Sequence, residues 1–256
     1  MKSALRRWWI GFLVLIVCLM LAEPALADGI IIPEPPPAVP ITEVPALTIR
    51  YHHVEVHIEG AVAETTVDQV FLNESKFPIE GIYIFPLPED AAISQVNLFV
   101  DGQRLPGKLL EREEARRIYE DIVRRRRDPA LLEYVGRSAF QARIFPIPAG
   151  GERRVQISYT QTLRSENGLY QYVYPLNTER FSARPIQNVS ISVDLLADAP
   201  LRAIYSPSHE VAVERLDSRH AHIGWEANNV LPDKDFALYF STAADPFAVN
   251  LLSYRP

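Results

Sequence analysis

Cysteine is almost missing from this chain of 256 residues, which has one, Cys18. Cys18 lies inside an apolar stretch at the N-terminus. Once that stretch is removed no disulfide framework can form, so the body must hold itself together by its core. Positive charge is also in deficit, with 26 Lys+Arg against 32 Asp+Glu. That balance speaks against nucleic acid or an anionic membrane surface as the main partner. After the N-terminal stretch there is no apolar run of about 20 residues, the length a bilayer-spanning helix needs. The catalytic signatures are missing too. There is no G-x-S-x-G elbow, no Walker loop and no dinucleotide fingerprint, and no cysteine nucleophile outlasts export.

What is present at the N-terminus is an export signal. Lys2, Arg6 and Arg7 form a positive region, Trp8 to Ala22 is almost wholly apolar, and Ala25-Leu26-Ala27 fits the small-x-small cleavage pattern. Residues 1–27 are therefore expected to be a signal peptide, with Asp28 as the mature N-terminus. An uncleaved membrane anchor is the rival reading. A lipoprotein at Cys18 is disfavoured, because Val17 stands where lipid processing wants a small residue. Cleavage removes Lys2, Arg6, Arg7 and Glu23, leaving 23 basic and 31 acidic residues, a balance of −8. The product is expected to be secreted, periplasmic or at the cell surface.

Residues 28–46 carry Pro33, Pro35, Pro36, Pro37, Pro40 and Pro45. This density predicts a stiff, extended linker without helix or sheet. From Leu47 the pattern has period two. Val54, Val56 and Ile58 share one face, while Tyr51, His53, Glu55, His57 and Glu59 share the other. Further strands are expected at 63–72, 79–86, 93–100, 139–145, 153–163, 169–174, 189–196, 201–205, 211–216, 220–225 and 236–240. Asp101-Gly102, Ala149-Gly150-Gly151, Asn167-Gly168, Asp217-Ser218 and Asn228-Asn229 read as turns. One segment differs. Across 111–127, Ala115, Ile118, Tyr119, Ile122 and Val123 form a helical stripe, with acids at its start and arginines at its end. A helix docked on a sheet is expected there. The fold class is mostly β, an antiparallel sandwich with one docked helix.

Few residues point to chemistry. His53, Glu55 and His57 project from one strand face, about 7 Å between neighbours. They are the candidate metal ligands, although nothing marks a fourth ligand and a solvated polar face is the favoured reading. His220 and His222 form a similar pair. Arg124, Arg125, Arg126 and Arg127 are a candidate patch for an acidic partner, set against a solvated helix C-terminus. Asn73-Glu74-Ser75 and Asn188-Val189-Ser190 are formal glycosylation sequons. A glycan-binding row would have to use Trp225 and the tyrosines of 170–174, which are more simply core. A hydrolase on a β scaffold would need two carboxylates, and the sequence does not single out a pair.

The pieces also fall into a known order. Phe71-Leu72-Asn73, Ile82-Tyr83-Ile84-Phe85-Pro86-Leu87-Pro88, Ala91 and Asp101-Gly102 come first. The helix with Glu111, Glu113, Ala115 and Tyr119 follows. Phe140, Ile144, Pro146, Pro148-Ala149-Gly150 and Val155-x-Ile157-x-Tyr159 close the series. Read together, residues 47–165 resemble a VIT domain (vault protein, inter-alpha-trypsin), and 166–256 read as a β-rich continuation packing with it. The resemblance implies an architecture and brings no catalytic residue and no cofactor. It implies the company of a von Willebrand A domain, which holds a metal through an Asp-x-Ser-x-Ser motif. That motif is not in this sequence, so no metal site carries over. The expectation is a non-catalytic interaction or scaffold module, truncated or split from a longer protein. Its expected partner is a protein or a matrix or surface component, or a von Willebrand A domain in a longer or neighbouring chain.

Overall fold

The computed structural model describes residues 30–34, 47–87, 92–105, 108–110, 114, 117, 139–166, 168–177 and 185–243. Its centre is β2 (Thr48–Glu59), paired antiparallel with β3 (Val62–Leu72). Period-two patterning sets the faces. His52, Val54, Val56 and Ile58 point inward and are buried. Tyr51, His53, Glu55, His57 and Glu59 point outward, half-buried or exposed. Gly60 turns the hairpin at φ +58, where a Cβ would stand 2.6 Å from Asp198 Oδ2, so only glycine fits without displacement.

From β3 the sheet grows through β9 (Glu152–Thr162) to β5 (Ala92–Val100) and β6 (Gln103–Leu105). Asp101 and Gly102 join the last two, both at positive φ (48 and 80), as a tight hairpin turn requires. On the other side β2 meets β12 (Ile186–Leu196), and beyond it lie β15 (His220–Val230) and β14 (Ala212–Arg215). The order of this eight-stranded sheet is β14-β15-β12-β2-β3-β9-β5-β6. Its β2–β12 seam is parallel, with Val54 opposite Ile191 and Val56 opposite Val193. The mostly β, antiparallel architecture expected from the sequence is what the structure has, with this one parallel pairing added among the described strands. Parallel neighbours need a long crossover, and here the chain between the two strands builds most of the molecule.

Two four-stranded sheets cover the inner face. One has the order β1-β4-β8-β7, from β1 (Ile30–Glu34), β4 (Ile79–Pro86), β8 (Ala139–Ile147) and β7 (Lys108–Leu110). The other has the order β10-β11-β16-β13, from β10 (Arg164–Glu166), β11 (Leu169–Tyr174), β16 (Phe236–Thr242) and β13 (Leu201–Tyr205). Aromatics carry the packing between layers: Tyr83 of β4 meets Phe71 of β3, and Phe85 of β4 meets Tyr159 of β9. A single hydrophobic cluster runs from Ile31 to Phe240. Residues 47–165 and 166–243 therefore share one large sheet and one core. Along the seam, Val54, Val56, Ile58, Ile191, Val193 and Leu195 are all buried. Six such side chains contribute about 9–18 kcal/mol gross.

Three further expectations meet the structure here. Residues 30–34 are a strand and not spacer: β1 pairs with β4, Ile31 opposite Tyr83 and Pro33 opposite Gly81. Proline is compatible because β1 is an edge, where a missing ladder donor costs little. Asn228-Asn229 is no inter-strand turn. Asn228 pairs with Asn188 inside β15, and Asn229 takes φ 52 as an irregularity before Val230 resumes pairing. Of the expected helix 111–127, only Glu114 and Arg117 are among the described residues, and both are helical. The remainder of that helix, the arginine run 124–127 and the signal segment 1–27 lie outside the described residues.

Candidate interaction face

The outer face of the eight-stranded sheet is covered by neither small sheet, and register sorts its side chains into rows. One row runs Glu214, His222, Asp194, His57, Glu64, Thr160 across six strands. At its middle Asp194 accepts from two imidazoles. His57 Nδ1 donates to Oδ2 at 3.1 Å and His220 Nε2 donates to Oδ1 at 2.7 Å. The His220 bond, aided by His57, holds the Asp194 carboxyl below its ordinary range against partial desolvation. The stability this group adds is present above about 3.8 and is lost as pH falls through its lowered folded value. The clasp ties β12 to both of its neighbours.

Beside it lies an open groove of about 300 Å³, lined by Glu55, Val56, His57, Glu64, Thr66, Ser192 and Asp194. Glu55 and Glu64 are exposed there. Further along β2, His53 stacks on Tyr51 with ring centroids 4.6 Å apart, and its Nε2 meets Asn188 Oδ1 at 2.6 Å. Thus His53, Glu55 and His57 share the outer face of β2, but His53 turns to Tyr51 and Asn188, His57 bonds Asp194, and Glu55 stands open on the groove. Among the described residues no group of three His, Asp, Glu or Cys side chains is placed to hold a metal ion. His220 and His222 likewise diverge, to Asp194 and to Ser192 Oγ (3.4 Å).

The inner face holds a polar arrangement that the sequence reading did not single out. His52 is fully buried. Tyr83 OH donates to Gln69 Oε1 at 2.9 Å, which leaves the Gln69 amide NH2 to donate to His52 Nδ1, also at 2.9 Å. The other ring nitrogen of His52, Nε2, meets Tyr174 Oη at 2.7 Å and closes the network. Tyr83 comes from one small sheet and Tyr174 from the other, so the network joins both to the large sheet. The signal was available, since His52 has the same parity as Val54 and Val56.

The other sequence candidates resolve by burial. Tyr172 and Tyr174 are fully buried, and Tyr170 and Trp225 pack partly buried against the core, so none forms a free glycan platform. Asn73, in the first sequon, is fully buried. Its amide donates to the carbonyls of Phe77, Ile147 and Pro148 at 2.9, 2.9 and 3.1 Å, and so is not available for glycosylation in the folded chain. Asn188, in the second, lies mid-strand and donates to Asn228 at 2.9 Å.

Comparison with known proteins adds the following. The family model of the Vault protein inter-alpha-trypsin domain matches residues 49–159. Human protein mono-ADP-ribosyltransferase PARP4 is 24% identical over 214 residues, 74% of this chain and 12% of the relative. Human von Willebrand factor A domain-containing protein 5A is 30% identical over 48% of this chain and 16% of its own length. Bovine inter-alpha-trypsin inhibitor heavy chain H3 is 23% identical over 56% of this chain and 16% of its own. The chain thus spans a sixth or less of these relatives. Among solved structures, a candidate nutrient binding protein from Legionella pneumophila matches with TM-score 0.59 and 12% identity, over 85% of this chain and 72% of that one. That likeness is one of fold.

Proposed function

Residues 49–159 are a VIT domain, and on that premise we propose that the protein is an exported, non-catalytic interaction module. The VIT domain and its continuation act as one rigid β scaffold. The scaffold presents a face to a protein or surface partner, a von Willebrand A-type domain in a longer or neighbouring chain being the first choice. The observation that carries this reading is the shared sheet. Its inner face is filled by a continuous core, while its outer face stays open and mostly polar across the strands that join both parts. The export part rests on Lys2, Arg6, Arg7, the apolar run and Ala25-Leu26-Ala27.

Photo-cross-linkers placed singly at Thr66, Gln171 and Arg143 in the native cell test the interaction reading. A discrete adduct at one or more positions, on a product whose mass begins at Asp28, is the expected result. No adduct at any position, or substrate turnover by the purified chain, would remove it.

A further inference from the structure

Register gathers the exposed aliphatic side chains on the outer face into a line. Val62 of β3 and Leu196 of β12 both flank Glu59 of β2, and Leu196 pairs with His220. Leu216 closes the β14–β15 turn against His220 through its backbone N–H, at 2.9 Å. The three stand 46%, 37% and 53% exposed. With strands about 4.8 Å apart, the line is about 19 Å long. The next row on the same face carries Asp194 and Glu64, and Glu55 lies one row further, on the groove. Glu55 and Glu64 have no ion-pair or hydrogen-bond partner among the described residues. Asp68, by contrast, is neutralised by Arg154, whose Nε donates to both carboxylate oxygens at 2.9 and 3.1 Å.

Unpaired carboxylates beside exposed aliphatics are the complement of a surface with an apolar ridge bordered by arginine or lysine. We propose that this end of the outer face docks such a partner: a cationic protein segment whose aliphatic side chains cover Val62, Leu196 and Leu216. Its cations sit in the groove between Glu55, Glu64 and Asp194. Strands that pair on both sides carry Glu55, Val62, Glu64, Asp194 and Leu196, and Leu216 is tied by its backbone to His220, so little order is lost on binding. The proposal deepens the interaction reading above and rests on it, by naming the face and the chemistry of what it binds.

The test uses the mature full-length chain and two soluble probes, an alternating Leu/Arg peptide and its Leu/Glu counterpart. Amide NMR signals of residues 55–64, 192–196 and 214–222 are expected to move with the Leu/Arg peptide alone. Affinity should fall at least tenfold for Glu64→Lys and for Leu196→Glu, and several-fold between 50 and 200 mM salt. Glu210→Lys, an exposed site off these rows, serves as the folded control and should leave affinity unchanged. Binding of the Leu/Glu peptide at the same residues, shifts confined to another surface, or indifference to both substitutions would overturn the proposal. Cross-links formed from Gln171 or Arg143 and never from Thr66 would overturn this face alone and leave an interaction module that binds elsewhere.

Discussion

Asn73 shows how much one amide holds in this fold. Its side chain reaches the carbonyls of Ile147 and Pro148, and its backbone N–H and C=O bond Gly151 O and Gly150 N at 2.9 and 2.8 Å. It therefore joins the turn after β3 to the turn between β8 and β9. Asn73→Ala strips partners from buried carbonyls, each costing about 1–3 kcal/mol. We expect a loss of about 2–4 kcal/mol in urea unfolding, and a loss below 1 kcal/mol would show the clamp to be idle. His209 supplies a pH dependence. Burial among Trp225 and Phe236, with Lys234 nearby, lowers its pKa from 6.5 to about 4. Between those values the unfolded chain binds the proton and the folded one does not, so stability falls as pH drops from about 6.5 toward 4. His209→Gln should flatten the urea midpoint against pH across that window, and an unchanged slope would assign the dependence elsewhere.

At the level of the element, β1 depends on a single glycine. A Cβ on Gly81 would stand 2.6 Å from Ile31 Cγ2 and 2.7 Å from the Ile32 carbonyl. Gly81→Ala should raise amide exchange of Ile31 and Ile32 at least tenfold while exchange in β2 and β12 holds. Equal protection in both would mean that the strand docks with room to spare. This element also marks where sequence reading stopped. The long strands were legible because one face of each meets the core: Val155, Ile157 and Tyr159 alternate cleanly. The strands β6, β7 and β10 have three residues each, too few to show a period. In β1 the prolines that follow masked Ile30-Ile31-Ile32. The outer rows were legible as polar faces. Which rows become neighbours was not, because His57 meets Asp194 only through a pairing 137 residues apart. The buried amide and hydroxyl partners of His52 were hidden for the same reason.

Across the whole molecule, the shared core predicts one cooperative unfolding transition, with Tyr and Trp fluorescence and far-UV signals coinciding. Two separated transitions would divide the protein into two units. A chain ended at residue 165 loses β12 from the edge of β2, and Tyr172, Tyr174, Phe236 and Phe240 from the core. It should give no cooperative melt and should aggregate through the bared β2 edge. The parallel seam also sets a timetable. β2 leaves the ribosome well before β12, and at about 5–20 residues per second its partner arrives about 7–30 s later. Through that interval an aliphatic strand edge waits unpaired, and the closure it waits for is non-local, the slowest kind. In a chain built this way the large sheet closes only after β12 has been made, about three quarters of the way along the sequence, and until then the two sides of the seam cannot complete the core they share.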